Sequence, residues 1–214
     1  MDASGGKRAY RDLQQHIEEL KARDLLYVID EPVNKDTEMS ALVRWQFRGG
    51  LREADRKAFL FNNITDSKGR KYDIPVVIGA LAANQDIYAT GMDTTVDNIA
   101  AKWDHAIANP VPPRLVNEAP CHDVIIQGDD LLGEDGGLVR LPIPLSTPGF
   151  DSTPTLAATN VITRNPDTGT QNMGTYRAGL KASDRLVVRM ATRVGGAEGY
   201  MHWKMHKARG EKLP

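Results

Sequence analysis

The segment 170–177 contains the residue types that could bind a small anion or a metal ion. Asn172 offers a neutral oxygen ligand, Gly174 allows the backbone to approach a ligand closely, and Arg177 offers a cationic fork for a carboxylate or a phosphate. The preceding segment 165–169, Asn-Pro-Asp-Thr-Gly, predicts a tight hairpin turn. An isolated Asn and Arg are more often simply solvated on a strand, so this segment indicates a site only together with its neighbours.

Cations recur at every fourth residue from this segment onward, at Arg177, Lys181, Arg185, Arg189 and Arg193. An even spacing keeps side chains on one face of a strand, so some of these cations could converge. Residues 177–212 contain nine Lys or Arg against three Asp or Glu, a local excess in a chain of net charge -1. The pattern fits a bound phosphate or a solvated basic face. Gly195 and Gly196, before a predicted helix, could add backbone donors for an anion.

Two other pairs of residues could also do chemistry. His202 and His206 lie four apart on a predicted helix and could ligate one metal ion, but the glutamate of the zinc-protease pattern is missing. Cys121 and His122 could be a nucleophile and its base, but adjacent side chains rarely point at each other. We expect both pairs to be structural. The alternative, an independent zinc site at the two histidines, predicts stoichiometric zinc.

Composition narrows the classes of function. The chain has 214 residues, of which 41% are hydrophobic, and this is enough for an enzyme core. Its near-neutral charge provides no field for nucleic acid or an anionic membrane. The apolar runs fall far short of the roughly 20 residues of a membrane span, and the N-terminus lacks a signal-peptide pattern. With Cys121 as its single cysteine, the chain is expected to be cytoplasmic, without nucleic-acid or membrane partners.

The first half of the chain predicts helices that alternate with short buried strands. Apolar residues recur at helical spacing in 10–24, 36–49 and 95–107. Short apolar runs predict strands at 25–29, 59–61 and 76–78. Prolines in the segment 109–113 prevent the third helix from continuing. We therefore predict an α/β domain over residues 1–113.

The second half predicts a small barrel or sandwich, which makes the chain α+β overall. Strand-like runs are separated by Gly, Pro and Asp clusters, at 124–126, 138–139, 156–163 and 186–190. A last helix is predicted after Gly196 and should end near Arg209. The segment 146–151, which is rich in Gly and Pro, is a candidate loop near the site.

Several motifs in this order resemble the UbiD family of reversible decarboxylases. They lie at 118–121, 141–144, 163–169, 172–177 and 193–197. The N-terminal pattern, with Phe-Leu-Phe-Asn-Asn-Ile at 59–64, is similar too. The resemblance implies an α/β N-terminal domain, followed in 114–214 by the first part of a split β-barrel that binds a flavin.

The resemblance also implies a cofactor, prenylated FMN, bound through its phosphate with a divalent ion, usually Mn²⁺, and K⁺. Asn172 corresponds to a metal ligand of the family, and Arg177 to the active-site arginine that orients the substrate carboxylate. The implied cofactor contacts are Thr175, Tyr176, Arg177, Arg189, Met190, Ala191, Val194 and Gly195. One branch of the family has a metal-binding histidine near the glycine pair, where this chain has Val194 and Gly195.

The substrate that the resemblance implies is an aromatic or α,β-unsaturated carboxylic acid. Family members are more than twice this long, and their second metal carboxylate and proton-donor acid lie beyond the equivalent of Pro214. We therefore expect an N-terminal fragment of a decarboxylase, inactive by itself. The full-length protein should form a homodimer or higher oligomer and receive its cofactor from a flavin prenyltransferase. The alternative is a non-catalytic flavin- or phosphate-binding module that another chain completes.

Overall fold

The structure is a computed structural model that describes residues 10–192 and 196–214. The helices of these residues are α1 (Leu13–Ala22), α2 (Met39–Arg48), α3 (Gln85–Gly91), α4 (Ile99–Ala108) and α5 (Glu198–Ala208). The strands are β1 (Leu26–Ile29), β2 (Val33–Asn34), β3 (Ala58–Phe61), β4 (Ile64–Thr65), β5 (Lys71–Tyr72), β6 (Val76–Ile78), β7 (Thr155–Arg164), β8 (Gln171–Ala182) and β9 (Arg185–Arg189). The mixture of helices and small sheets confirms the α+β class.

The chain divides into two compact units. The first contains the described residues up to Asn34 together with Ala41–Ile125, and the second contains Lys35–Ser40 together with Ile126–Pro214. No helix in the described part of the chain is both long enough and apolar enough to cross a membrane.

The first unit is built around a mixed sheet in the order β1-β3-β6, with β1 parallel and β6 antiparallel to β3. Helix α1 buries Ile17 and Leu20 in its core, which confirms the predicted amphipathic helix. The carboxylate of Asp12 caps α1 by accepting a 2.9 Å hydrogen bond from the backbone of Gln15. This hydrogen bond holds the pKa of Asp12 below its ordinary value.

Helix α3, a seven-residue helix of the first unit, was not predicted from the sequence. Asn84 caps it by accepting a 2.7 Å hydrogen bond from the backbone of Ile87, whose side chain is fully buried. Too few apolar residues recur in so short a helix for its periodicity to be recognised.

The second unit contains an antiparallel sheet in the order β7-β8-β9. Helix α5 covers one face of this sheet, and its start donates a hydrogen bond from Gly199 to the hydroxyl of Tyr176. The predicted hairpin, the strands at 156–163 and 186–190, and the last helix are confirmed. Within the described residues the sheet has three strands and does not close into a barrel.

Two predicted strands are wrong. In the segment 124–126, Val124 is 77% and Ile125 is 68% exposed, and neither residue pairs with a strand. The segment 138–139 lies in a 3-10 turn, Gly137–Arg140, where the backbone of Leu138 donates a 2.7 Å hydrogen bond to Ser183. Short apolar runs form strands only where a neighbouring strand supplies hydrogen-bond partners.

Candidate active site

The turn between β7 and β8 sets the position of every candidate residue on β8. Asn165 Oδ1 accepts hydrogen bonds from the backbone N–H groups of Asp167 (2.8 Å) and Thr168 (3.2 Å). Gly169 has a φ of 73°, which L side chains rarely adopt. The register that follows pairs Thr175 with Asn160, and the hydroxyl of Thr175 donates a 3.0 Å hydrogen bond to the Asn160 side chain.

The side chains of β8 alternate between the two faces of the sheet, and this separates the predicted site residues. Asn172, Gly174 and Tyr176 lie on the face that α5 covers, which we call the helix face. Thr175 and Arg177 lie on the opposite, open face. The predicted metal ligand and the predicted catalytic arginine are therefore on different faces of one strand.

Tyr176 is fixed on the helix face by the glycines around it. Its Oη accepts a 3.2 Å hydrogen bond from the backbone N–H of Gly199. A Cβ atom at Gly174 would overlap the Tyr176 ring, and one at Gly199 would lie 3.1 Å from its hydroxyl. The ring can lie against the sheet and the first turn of α5 only because both neighbours lack side chains. This contact gives Tyr176 a structural role.

Asn172 belongs to a chain of polar contacts on the helix face. Its Nδ2 donates a 3.5 Å hydrogen bond to Thr163 Oγ1, which in turn lies 2.9 Å from His202 Nδ1. Thr163 is 2% and His202 1% exposed. Among the described residues, no donor contacts the Oδ1 atom of Asn172. This oxygen is therefore free to bind a ligand.

The open face carries a cleft of about 610 Å³, within the range of small-molecule sites. Its lining residues are Arg177, Arg189, Met190, Ala191 and Thr192. Arg177 and Arg189 are cross-strand partners of β8 and β9, so their guanidinium groups leave the sheet on the same side. Four of the residues implied by the family resemblance thus come together in one cleft.

Asp151 is the residue of this site that sequence reasoning did not single out. Its carboxylate accepts a 2.7 Å hydrogen bond from Arg177 Nη2. The Asp151 side chain is 12% exposed and that of Arg177 is 37% exposed, so the pair is partly shielded from water. The only signal in the sequence was that Asp151 ends the Gly- and Pro-rich segment 146–151.

Arg189 differs from Arg177 because no acidic side chain among the described residues pairs with it. Of the other cations at this spacing, Arg185 pairs with the neighbouring Asp184 at 3.1 Å, and Lys181 is exposed. Of the four regularly spaced cations that the structure describes, only Arg177 and Arg189 line the cleft.

The start of α5 lies beside the cleft. The backbone N–H of Ala197 donates a 2.8 Å hydrogen bond to the carbonyl of Ala191, a cleft residue. Gly196 has a φ of 80°, which permits this return of the chain. Val194 and Gly195, predicted as cofactor contacts, lie outside the described residues, as does Arg193.

The two histidines of α5 are buried but do not form a metal centre in the described part of the chain. His206 Nδ1 lies 3.1 Å from a carboxylate oxygen of Glu211, and His202 Nε2 lies 3.5 Å from Glu198. The Nε2 atoms of both rings have no hydrogen-bond partner. No group of three or more His, Cys, Asp or Glu among the described residues could hold a metal ion.

Two guanidinium groups thus border a cleft of small-molecule size on one sheet face of an α+β protein. Comparison with known families agrees with the resemblance in the sequence. Residues 17–107 match the model described as the 3-octaprenyl-4-hydroxybenzoate carboxy-lyase N-terminal domain. Residues 114–214 match the Rift-related domain of the same carboxy-lyase. The chain belongs to the UbiD family.

Solved structures of this class share the fold. The UbiD-class enzyme HmfF from Pelotomaculum thermopropionicum, in complex with FMN, is 28% identical, with a TM-score of 0.75 over 94% of this chain and 40% of that one. An evolved dimeric form of HmfF in complex with prFMN is 25% identical, with a TM-score of 0.73 over 95% of this chain and 43% of that one.

A third structure, the 3,4-dihydroxybenzoic acid decarboxylase of Enterobacter cloacae, is 24% identical, with a TM-score of 0.76 over 95% of this chain and 41% of that one. At this identity the likeness shows the fold alone. The chain spans about two fifths of the length of the structures it matches.

Proposed function

We propose that this chain forms the N-terminal part of a reversible decarboxylase that removes CO2 from an aromatic or α,β-unsaturated carboxylic acid with prenylated FMN. The observation that supports this most directly is the cleft on the open face. Arg177, Arg189, Met190 and Ala191 line it together. These are positions that the family resemblance assigns to the flavin, and they come from β8 and from the end of β9.

The flavin fits the residues present. Arg189 has no acidic partner among the described residues, so its guanidinium can bind the flavin phosphate. The start of α5 adds a favourable dipole for negative charge beside Ala191. Thr175, Met190, Ala191, Val194 and Gly195 complete the proposed contacts. Tyr176, which the resemblance also assigns to the flavin, lies on the opposite face of β8. Once bound, the flavin supplies the electron sink that decarboxylation requires.

Arg177 is the proposed catalytic residue. Asp151 holds one of its nitrogens, which fixes the guanidinium plane, while its other N–H groups can bind the substrate carboxylate. A planar, permanently charged fork suits this task better than the flexible ammonium of lysine.

The proposed divalent ion, Mn²⁺, fits Asn172 as one ligand. An amide oxygen is a hard ligand of the type that Mn²⁺ prefers, and the Oδ1 of Asn172 contacts no donor among the described residues. Because the described residues contain no carboxylate and histidine cluster and the cleft assigned to the flavin lies on the opposite face of β8, the remaining ligands would be groups beyond this segment. K⁺ would bind through phosphate and carbonyl oxygens.

The alternative is a non-catalytic module in which the same cleft holds a flavin or its phosphate and a separate chain completes the site. Under both proposals the native protein binds flavin. The two differ in whether the native protein releases CO2 and in its subunit composition. Native mass spectrometry measures the subunit composition. For the decarboxylase we expect a homodimer or higher oligomer.

The test is co-expression of the full-length protein with a flavin prenyltransferase, followed by absorption spectroscopy and a screen for CO2 release. The screen uses 3,4-dihydroxybenzoic and vanillic acids with unsaturated acids beside them. Release that depends on the prenyltransferase supports the decarboxylase. A flavin-loaded homo-oligomer that releases no CO2 from any acid would favour the module.

A further inference from the structure

The two arginines of the cleft have the same charge and lie side by side. Arg177 and Arg189 are direct cross-strand partners on the open face, and in such a pair the Cβ atoms lie about 4.5–5.5 Å apart. Two guanidinium groups this close can bind the same phosphate, because a phosphate offers an oxygen to each of them. Neither guanidinium would then remain for a substrate carboxylate, so a decarboxylase must keep the two arginines apart in function.

Asp151 is the group that makes the two arginines unequal. Its carboxylate lies 2.7 Å from Arg177 Nη2, and its side chain is 12% exposed. Water and salt screen a partly buried ion pair much less than an exposed one, so the negative charge of Asp151 offsets the attraction of Arg177 for other anions. Arg189 keeps its full charge, since no acidic side chain among the described residues pairs with it.

The backbone around Asp151 fixes its carboxylate relative to β8. The N–H of Asp151 donates a 2.9 Å hydrogen bond to the carbonyl of Thr147, which closes a turn. On the other side of Asp151, the carbonyl of Pro154 accepts a 2.9 Å hydrogen bond from the N–H of Leu180. Leu180 lies on β8, three residues after Arg177. The segment that carries the carboxylate is thus attached to the strand that carries the arginine.

We propose that Asp151 is a specificity-determining residue, which keeps phosphate off Arg177 so that Arg189 binds the flavin phosphate and Arg177 stays available for the substrate carboxylate. A phosphate monoester carries about 1.5–2 negative charges at neutral pH and a carboxylate one, so repulsion by Asp151 acts more strongly on the phosphate. The N–H groups of Arg177 that Asp151 does not use can still bind the carboxylate. This inference rests on the proposed function, which assigns the two anions to the cleft.

The experiment titrates the full-length apoprotein with FMN by fluorescence, at several concentrations of inorganic phosphate and at constant ionic strength. Competition gives the dissociation constant of phosphate. Asp151→Asn removes the charge and keeps the shape, so phosphate should bind about 10- to 100-fold more tightly as Arg177 adds a charge-assisted hydrogen bond. Asp151→Glu keeps the charge and should stay near the wild type.

The flavin-loaded enzyme tests the other half of the division. In Asp151→Asn the flavin phosphate should engage Arg177 as well as Arg189, so the KM of the carboxylic acid should rise by about 10-fold or more. An unchanged KM would mean that Arg177 still serves the acid alone, and the role of Asp151 would be wrong.

Two further variants control for net charge and for folding. Asp184→Asn removes the same charge, but Asp184 pairs with Arg185, which does not line the cleft, so phosphate affinity should not change. Equal tightening in Asp184→Asn and Asp151→Asn would overturn the inference. The double variant Asp151→Asn/Arg177→Gln should bind phosphate like the wild type, because Arg189 acts alone in both.

The double variant leaves no unpaired charge, so it keeps the inference testable if Asp151→Asn fails to fold, as judged by its melting temperature. Phosphate binding about 10-fold weaker in the double variant than in the wild type would mean that Arg177 already binds phosphate when Asp151 is present. That result would overturn the inference.

The wild-type titration separates the inference from the function on which it rests. If phosphate competes with FMN in the wild type and Asp151→Asn leaves its affinity unchanged, the role of Asp151 is wrong and the flavin site stands. If phosphate does not compete with FMN in the wild type, the assignment of the flavin phosphate to the cleft is wrong, and the inference is wrong with it.

Discussion

The two faces of β8 differ in what surrounds their side chains. On the helix face, Tyr176 touches the start of α5 through a 3.2 Å hydrogen bond to Gly199, and the contacts of Asn172 end in a buried histidine. On the open face, Arg177 and Arg189 border a cleft of about 610 Å³. One strand thus has a packed, neutral side and a charged, accessible side.

This difference indicates how the strand can serve two purposes. Side chains held by burial and directed hydrogen bonds provide fixed geometry, because their alternatives leave polar groups unpaired. Charged side chains at a cleft remain able to meet an incoming anion. The open face should therefore respond to mutation in activity and cofactor binding, and the packed part of the helix face around Tyr176 in stability.

The largest expected effect lies on the open face, at Arg177. In the full-length holoenzyme, Arg177→Lys should lower decarboxylation about 100-fold or more, because lysine cannot reproduce the planar fork at the carboxylate. Flavin content should not change, since Arg189 and the start of α5 remain. CO2 release and flavin absorbance measure the two quantities. Unaltered turnover would remove Arg177 from the reaction.

Arg189→Ala should weaken flavin affinity instead. Loss of one charge-assisted hydrogen bond corresponds to about 1.5–3 kcal/mol, or roughly 10- to 100-fold, measured by fluorescence titration of the full-length apoprotein with FMN. The effect should shrink at high salt. Arg185→Ala is the control, because Arg185 already pairs with Asp184. Equal losses in both variants would mean that the open face attracts FMN only through its net charge.

The sequence predicted the elements of the second unit better than the contacts between them. The hairpin turn at 165–169 and helix α5 follow from local rules, since Asn165 and Gly169 act within the turn itself. The pairing of Arg177 with Asp151 depends on how a loop 26 residues away folds back, and no local pattern encodes that. The cross-strand pairing of Arg177 with Arg189 likewise depends on the register of two strands.

The same limit explains the errors. The run 124–126 has the composition of a strand but no strand beside it, and strand formation depends more on such neighbours than on propensity. The family resemblance supplied the identities of the cleft residues. It did not indicate that Asn172 and Arg177 leave the strand on opposite faces, which follows from alternation once β8 is known to be regular over both positions.

On the helix face, Gly174→Ala tests the packing. The added Cβ would overlap the Tyr176 ring, and overpacking of this kind typically costs about 1–3 kcal/mol. Two-state urea unfolding of the full-length protein measures this free-energy cost. Replacing the ring in a Gly174→Ala/Tyr176→Ser double variant should make Gly174→Ala less costly than it is in the wild type. If the cost is the same in both backgrounds, the ring is not what excludes a side chain.

The smallest and sharpest comparison uses adjacent residues on opposite faces. Tyr176→Phe leaves the Gly199 N–H without its acceptor and should cost about 1 kcal/mol. Thr175→Val removes an exposed hydrogen bond to Asn160 and should change the free energy of unfolding by less than about 0.5 kcal/mol. The two substitutions each delete one hydroxyl, so the difference between their urea midpoints isolates the effect of the face. A Thr175→Val cost equal to that of Tyr176→Phe would mean that the open face is as tightly constrained as the helix face, and the division of the strand into a rigid and a responsive side would be wrong.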